Sequence, residues 1–402
     1  MTTTQAPGHL LALDDDPVVR ADADALVSRM VEHHRSSSTD RAPGLWREPA
    51  ASYCDPDLWA HEVALVHRRV PLPLALSCEL PTPGTYKAMD VAGTPVLMMR
   101  TPAGDVRAVV NACRHRGAEL VPVGAGVVKR LTCPFHSWCY DLSGRLVAVE
   151  DAKTFGDIDR DQMGLVPLPV AERAGLVFVC LTPGDPIDLD SWLGSDLGRL
   201  LDALDLQGCH HHSTRELDGP NWKIVVDGYL ESYHVGTAHR ESVLQTHLSN
   251  MATFDAFGPH MRNSFALRAI SDVAEQPLEP AALPKIVSAV YWLFPGLSIS
   301  GGWGDQVAVS LVLPGRSWDV SLTQQHIVLR HPPADDAARE AADRRADRLR
   351  EIVLDEDHST AYGIQRGLGA MGGQSFTFGR NEPGVQHFHR ALDQQMDRPV
   401  LV

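Results

Sequence analysis

The chain has little cysteine for its size: seven in 402 residues, namely Cys54, Cys78, Cys113, Cys133, Cys139, Cys180 and Cys209. So sparse and odd a set excludes a disulfide framework as the source of stability. A chain this long buries a core without staples and, at roughly 150 residues per domain, makes two or three domains. Positive charge is also short, with 36 Lys and Arg against 51 Asp and Glu and a net charge of −15. Phosphate binding needs a basic face, so nucleic acid is not an expected partner. No apolar run approaches the roughly 20 residues of a membrane helix, and no membrane association is expected. MTTTQAPGHLLALDDDPVVR has no basic start ahead of an apolar run, hence no signal-peptide pattern. With 44% hydrophobic and 22% charged residues, the composition is that of a globular protein. The expected location is the reducing cytoplasm.

Three segments follow from the patterning. Residues 1–44 are a polar, acidic lead-in ending in the loop HRSSSTDRAPG (34–44). Residues 45–185 begin with a helix, signalled by Asp55 as N-cap, Pro56 in the first turn, and Trp59, Val63 and Val66 at helical spacing. From about 71 to 182 the chain reads as an all-β module of short apolar runs: TPVLMMR, DVRAVVNA, GVVKRLTC, RLVAV and GLVFVCL. The stretch PGDPIDLDSWLGSDLGRLLDAL marks the boundary. Residues 186–402 mix helices around 222–247 and 335–366 with strands such as VSAVYWLF and QVAVSLVL, an α+β domain with an antiparallel sheet. CHHHS (209–213) reads as a surface strand, and DDAAREAADRRADRLREIVL (335–354) as a solvated helix face. GLGAMG (367–372) has the spacing of a dinucleotide fingerprint but follows a helix rather than a strand, and is set aside.

Two clusters carry chemistry. The first is Cys113-x-His115, then 17 residues, then Cys133-x-x-His136. Two Cys and two His suit a structural zinc. Each pincer, however, mixes one thiol with one imidazole, as a [2Fe–2S] centre with two thiolates on one iron and two imidazoles on the other requires. The second is His234 and His239 in NWKIVVDGYLESYHVGTAHRESV. On an ideal helix, residues five apart diverge by about 140°. A π-bulge or loosened turn near Gly236 would bring them together; otherwise they are the polar edge of a core helix.

CRHRGAEL…CPFHSWCYDLSGRL resembles the motif of Rieske-type non-haem iron oxygenases, catalytic alpha subunit, down to Arg116, Gly117, Pro134, Trp138, Tyr140, Asp141 and Gly144. Ser137 departs where the family often has Gly, and Cys139 where a small residue is common; Cys139 is expected to be a buried filler. Glu231, His234 and His239 match the family's acid-x-x-His-x₄-His motif. IVLDEDHSTAYGIQRGLG matches its E-D-x₇-Q-R-G-L segment at Glu356, Asp357, Gln365, Arg366, Gly367 and Leu368.

The resemblance implies an all-β Rieske [2Fe–2S] domain (45–185) and a larger catalytic domain (186–402) whose antiparallel sheet is covered by helices. It implies Cys113, His115, Cys133 and His136 as cluster ligands, and a mononuclear Fe(II) at His234, His239 and Asp357, with Asp355 the nearest rival. Glu231 would be the catalytic-site carboxylate that orients His234 and reaches the partner subunit's His136. Asp227-Gly228 departs from a frequent acid-Asn pair, leaving any role of that Asn without a residue here.

The implied reaction uses O₂ to hydroxylate or dealkylate a small aromatic or N-methylated substrate. NAD(P)H would contribute only through a separate reductase, with or without a ferredoxin, and the assembly would be a homotrimer. Two other readings stand beside it: an electron carrier without oxygenase activity, and a zinc-stabilised binding protein. By the same resemblance, 289–314 lies behind the iron, with Tyr291, Leu293, Leu297, Ile299 and Trp303 as candidate walls.

Overall fold

The structure, a computed structural model, describes residues 16–274, 283–371 and 373–398. The chain forms two compact units. One is Val63–Trp192 with Leu206–Gly208; the other is Met1–Glu62, Leu193–Asp205 and Cys209–Val402. No helix among the described residues is long and apolar enough to cross a membrane.

The first unit is β throughout, apart from single helical turns such as Ala152–Phe155. Its five-stranded sheet runs, in spatial order, Pro167–Leu168, Val106–Val110, Thr94–Arg100, Thr85–Val91, Gly124–Val127. A three-stranded sheet joins Val170–Arg173, Leu176–Val179 and Leu72–Leu76, and a second joins Leu131–Thr132, Cys139–Tyr140 and Leu146–Ala148. All pairings are antiparallel, and the apolar runs of the sequence form the strands. Leu97, Met99, Val109, Leu131, Trp138 and Tyr140 make one core with the two cysteines Cys113 and Cys133. Burial of those thiols in the apolar core fixes where the two loops leave the sheet.

The second unit is built on a seven-stranded antiparallel meander. His247–Phe257, His260–Leu267, Val287–Leu293, Leu297–Ser300, Gln306–Pro314 and Ser321–Leu329 follow one another. The earlier strand His210–Gly219, which contains the histidine run, closes the far edge against Ser321–Leu329. Helix Asp336–Ile352 is the expected solvated one, capped by Asp335 and burying only Ala342 and Ala346. It is tied to the edge strand by Asp343 on His212 at 2.9 Å and Asp347 on Arg215 at 3.0 Å. GLGAMG falls at and beyond the end of helix Ser359–Leu368, and its last glycine lies outside the described residues.

The lead-in segment differs from the polar stretch expected. Residues 1–15 lie outside the described residues, but Pro17–Ser36 is a helix, N-capped by Asp16 and burying Val19, Ala23, Leu26, Val27, Met30 and Val31. It is fastened to the sheet by Arg262, whose guanidinium meets Asp22 at 2.5 Å and Asp255 at 2.8 Å. The expected helix at Asp55 forms over Pro56–Glu62. Contacts divide the chain at 62/63 and 192/193 rather than at 44/45 and 185/186. The reason is Glu62, 1% exposed, which accepts from Trp222 Nε1 at 3.0 Å and pairs with Lys223. A buried charge of this kind holds its segment to the unit that supplies its partner.

Candidate metal centres

The two Cys–His loops are built on the same turn. Cys113 N donates to Ala118 O and Gly117 N to Cys113 O, both at 2.8 Å. Cys133 N donates to Trp138 O at 2.8 Å and Ser137 N to Cys133 O at 3.0 Å. Each turn is closed by a residue with positive φ, Gly117 at 76° and Ser137 at 55°. The conformation explains why glycine suits position 137. Cys139 is half-buried on the strand after the loop, with its thiol 3.3 Å from Thr132 Oγ1.

The loops bring Cys113 beside Cys133 and His115 beside His136. Tyr140 braces them: its hydroxyl lies 3.3 Å from Cys113 Sγ and accepts from Arg114 N at 3.0 Å. Burial pushes the Cys113 thiol up, and Cys133 adds to this against the hydrogen bond from Tyr140. The His115 and His136 rings lie 4.7 Å apart, His115 stacked on Trp138 at 4.9 Å. The Nδ1 atoms of both histidines are buried and have no hydrogen-bond partner. Burial, His136 and Arg116 hold His115 below the usual imidazole range, in the neutral form a metal ligand needs.

A tetrahedral zinc would draw its ligand atoms to within about 4 Å of one another. Among the described residues, no three of these four ligand atoms lie within 4.8 Å of each other. A pair of neighbouring thiols and a pair of neighbouring imidazoles fit a binuclear iron–sulfur group rather than a single ion.

The second centre is assembled from distant segments. Helix Trp222–Tyr229 stops, and His234 and His239 flank a one-turn helix, Val235–Ala238. A loosened turn, not a π-bulge, therefore brings the two imidazoles together, with their Nε2 atoms 3.1 Å apart. The π-turn sits instead in the carboxylate segment, Val353–His358. Asp357 Oδ1 lies 3.0 Å from His239 Nε2 and 3.6 Å from His234 Nε2. Asp355 is exposed and takes no part.

Each histidine is oriented from behind by a carboxylate at Nδ1. Glu231 holds His234 and also accepts from the backbone N–H groups of Tyr233 and His234. Glu356 holds His239 at 2.5 Å and accepts from Ser242. Such partners fix ring orientation and raise ligand basicity. Burial pulls His239 down, but Asp357 and Glu356 outweigh it and push the imidazole up to about 9. Burial would raise Glu356, yet Ser242 and His239 hold it below the usual carboxylate range.

The centre opens on a cavity of about 680 Å³ bordered by Asp227, Tyr229, Phe265, Phe376, Phe378 and the inner sheet face. Asp227 accepts from the Tyr53 hydroxyl at 2.6 Å and from His389 Nε2 at 2.9 Å. The wall residues anticipated from sequence have the wrong parity. Tyr291, Leu293, Leu297 and Ile299 are buried on the other face, Trp303 is half-buried, and none borders the cavity. Their neighbours Val290, Ser298 and Ser300 do. A strand has a side-chain period of two, so the more apolar set went to the core and the serines to the cavity.

The family model for the Rieske [2Fe-2S] domain matches residues 70–167. That for the ring hydroxylating alpha subunit (catalytic domain) matches residues 206–398. The chain belongs to the Rieske-type non-haem iron oxygenases, as an alpha subunit. Among family members, the carnitine monooxygenase oxygenase subunit of Escherichia coli is 27% identical over 365 residues, 87% of this chain and 93% of that protein. The glycine betaine monooxygenase oxygenase subunit of Pseudomonas aeruginosa is 31% identical over 58% of this chain, a match spanning 51% of that relative's length. The crystal structure of the quaternary ammonium Rieske monooxygenase CntA in complex with L-carnitine superposes with a TM-score of 0.75. It covers 89% of this chain and 96% of the other at 22% identity, a likeness of fold.

Sequence reasoning missed the role of Glu356, although its place beside Asp357 in the E-D pair was a usable signal. Tyr53 and His389 had no such signal.

Proposed function

We propose that the protein is the oxygenase component of a Rieske-type system, hydroxylating or oxidatively dealkylating a small organic molecule with O₂. In this reading Cys113, His115, Cys133 and His136 hold a [2Fe–2S] cluster, and His234, His239 and Asp357 hold Fe(II). The observation that carries it is one chain with two unlike ligand sets, the second facing a cavity large enough for a substrate. Two imidazoles and a carboxylate on one face of an iron leave open positions, and the bound metal supplies O₂ activation. The chain's own residues do the rest. Glu231 and Glu356 keep each imidazole's Nε2 aimed at the centre, Phe376 and Phe378 exclude water, and Asp227 holds charge at the cavity edge against Tyr53 and His389.

Electrons enter through a separate reductase that draws on NAD(P)H, and the working assembly is a homotrimer. There Glu231 reaches the partner subunit's His136. The relatives' names support N-methylated substrates. The sparse, odd set of cysteines supports a cytoplasmic location. The test is oxygen uptake by iron-loaded protein with a surrogate reductase, across a panel of arenes and N-methyl compounds. Substrate-dependent uptake coupled to product supports the proposal; a reducible cluster with no such uptake for any compound supports an electron carrier instead.

A further inference from the structure

The sheet side of the cavity is polar where a core face is ordinarily apolar. Ser298, Ser310 and Gln325 stand opposite one another on three adjacent strands. All three border the cavity, at 4%, 5% and 2% exposure. Neither amide atom of Gln325 has a well-aligned hydrogen-bond partner, nor has the Tyr229 hydroxyl, which lies against Ser310 and Gln325. A buried amide whose one neighbour, the Tyr229 hydroxyl, is poorly aligned keeps donor and acceptor capacity, which this row can offer to a group in the cavity.

Among the described residues the cavity also gives an anion no fixed positive charge to pair with. Among the described residues no arginine or lysine borders it. Residues 1–15, 275–282, 372 and 399–402 contain none to add. His247 is pulled below the usual imidazole range by burial, against its contact with Val243 O. Every bordering carboxylate outside the metal triad is already engaged. Glu231 and Glu356 hold the ligand histidines, Asp227 holds Tyr53 and His389, and Glu382 accepts from Gly379 N. A buried anion would lack a protein cation and would face these carboxylates.

We infer that this site takes a molecule without a carboxylate or other anionic group that presents an amide, carbonyl or hydroxyl group to Gln325 and the Ser298–Ser310 row. The inference rests on reading the cavity as the substrate site. Glycine betaine, which carries a carboxylate, would be excluded.

Calorimetric titration of the iron-loaded protein without O₂ tests this independently of turnover. The probes are pairs alike in size: benzamide with benzoate, and choline with glycine betaine. The member without a carboxylate should bind at least about tenfold more tightly, and Gln325→Leu should weaken benzamide about tenfold. Equal or tighter binding of the carboxylates, no binding of benzamide or choline, or a Gln325→Leu variant with unchanged affinity for benzamide overturns the inference. Binding of benzamide or choline without oxygen uptake for any compound would defeat the oxygenase proposal and leave this one standing; uptake driven only by carboxylates would do the reverse.

Discussion

The two candidate metal centres are made in opposite ways. The Cys–His centre lies between residues 113 and 136, on two loops whose backbone bonds close each turn on itself. The His–carboxylate centre joins residue 234 to residue 357, and its geometry exists only when a broken helix and a π-turn meet over the same sheet. Local loops carry their own ligand geometry; a centre gathered from distant segments depends on the surrounding fold and on carboxylates behind the ligands. Changes in the second unit should therefore empty the second centre while leaving the first intact.

The largest effect expected is from Asp357→Ala. Product formation should fall by more than about 100-fold, the upper end for loss of an outer-shell partner, with the visible and EPR signature of the cluster unchanged. Loss of that signature as well would mean the two centres are not independent. Next is Glu356→Gln, which leaves the ligands in place but loosens His239. Iron affinity should drop about 10- to 100-fold in a chelator competition. No change would show that the fold alone, without Glu356, orients the ring.

The two centres also differ in their response to pH. In protein stripped of iron, His239 titrates at about 9 rather than 6.5 because Asp357 and Glu356 outweigh burial. A raised imidazole stabilises the stripped protein fully below 6.5, and that contribution is lost as pH rises through about 9. Metal must displace the same proton, so affinity for iron(II) should climb about tenfold per pH unit across that window. A flat profile would mean that the pair does not hold the proton.

The smallest effects separate the twin loops. Gly117 has φ of 76° and nothing within 4 Å of where a Cβ would stand, so Gly117→Ala meets only backbone strain. It should lower stability by about 1–2 kcal/mol. Ser137→Gly should raise it by about 0.5–1 kcal/mol, since the serine already bears the strained φ of 55°. Thermal unfolding with the cluster's absorbance as probe reads both.

This contrast also explains what could be read from the sequence. The Cys–His loops stood out because the spacing of their cysteines and histidines is local, and the β module because its apolar runs are short and punctuated. Asp357 needed the resemblance, since nothing local ties residue 357 to residue 239. The helix Pro17–Ser36 was missed although Asp16-Pro17 signals its start, because its polar residues dominated the reading. The wall residues were misassigned by one position: an apolar strand does not declare which face meets a core and which a cavity, and Ser298, Ser300 and Ser310 were the overlooked sign.

The most direct test of two separate iron centres is metal and acid-labile sulfide analysis of anaerobically prepared protein beside its His234→Ala variant. About three irons and two sulfides per chain are expected, falling to about two irons with sulfide unchanged in the variant. Zinc without sulfide, or a variant that loses sulfide along with iron, would contradict it.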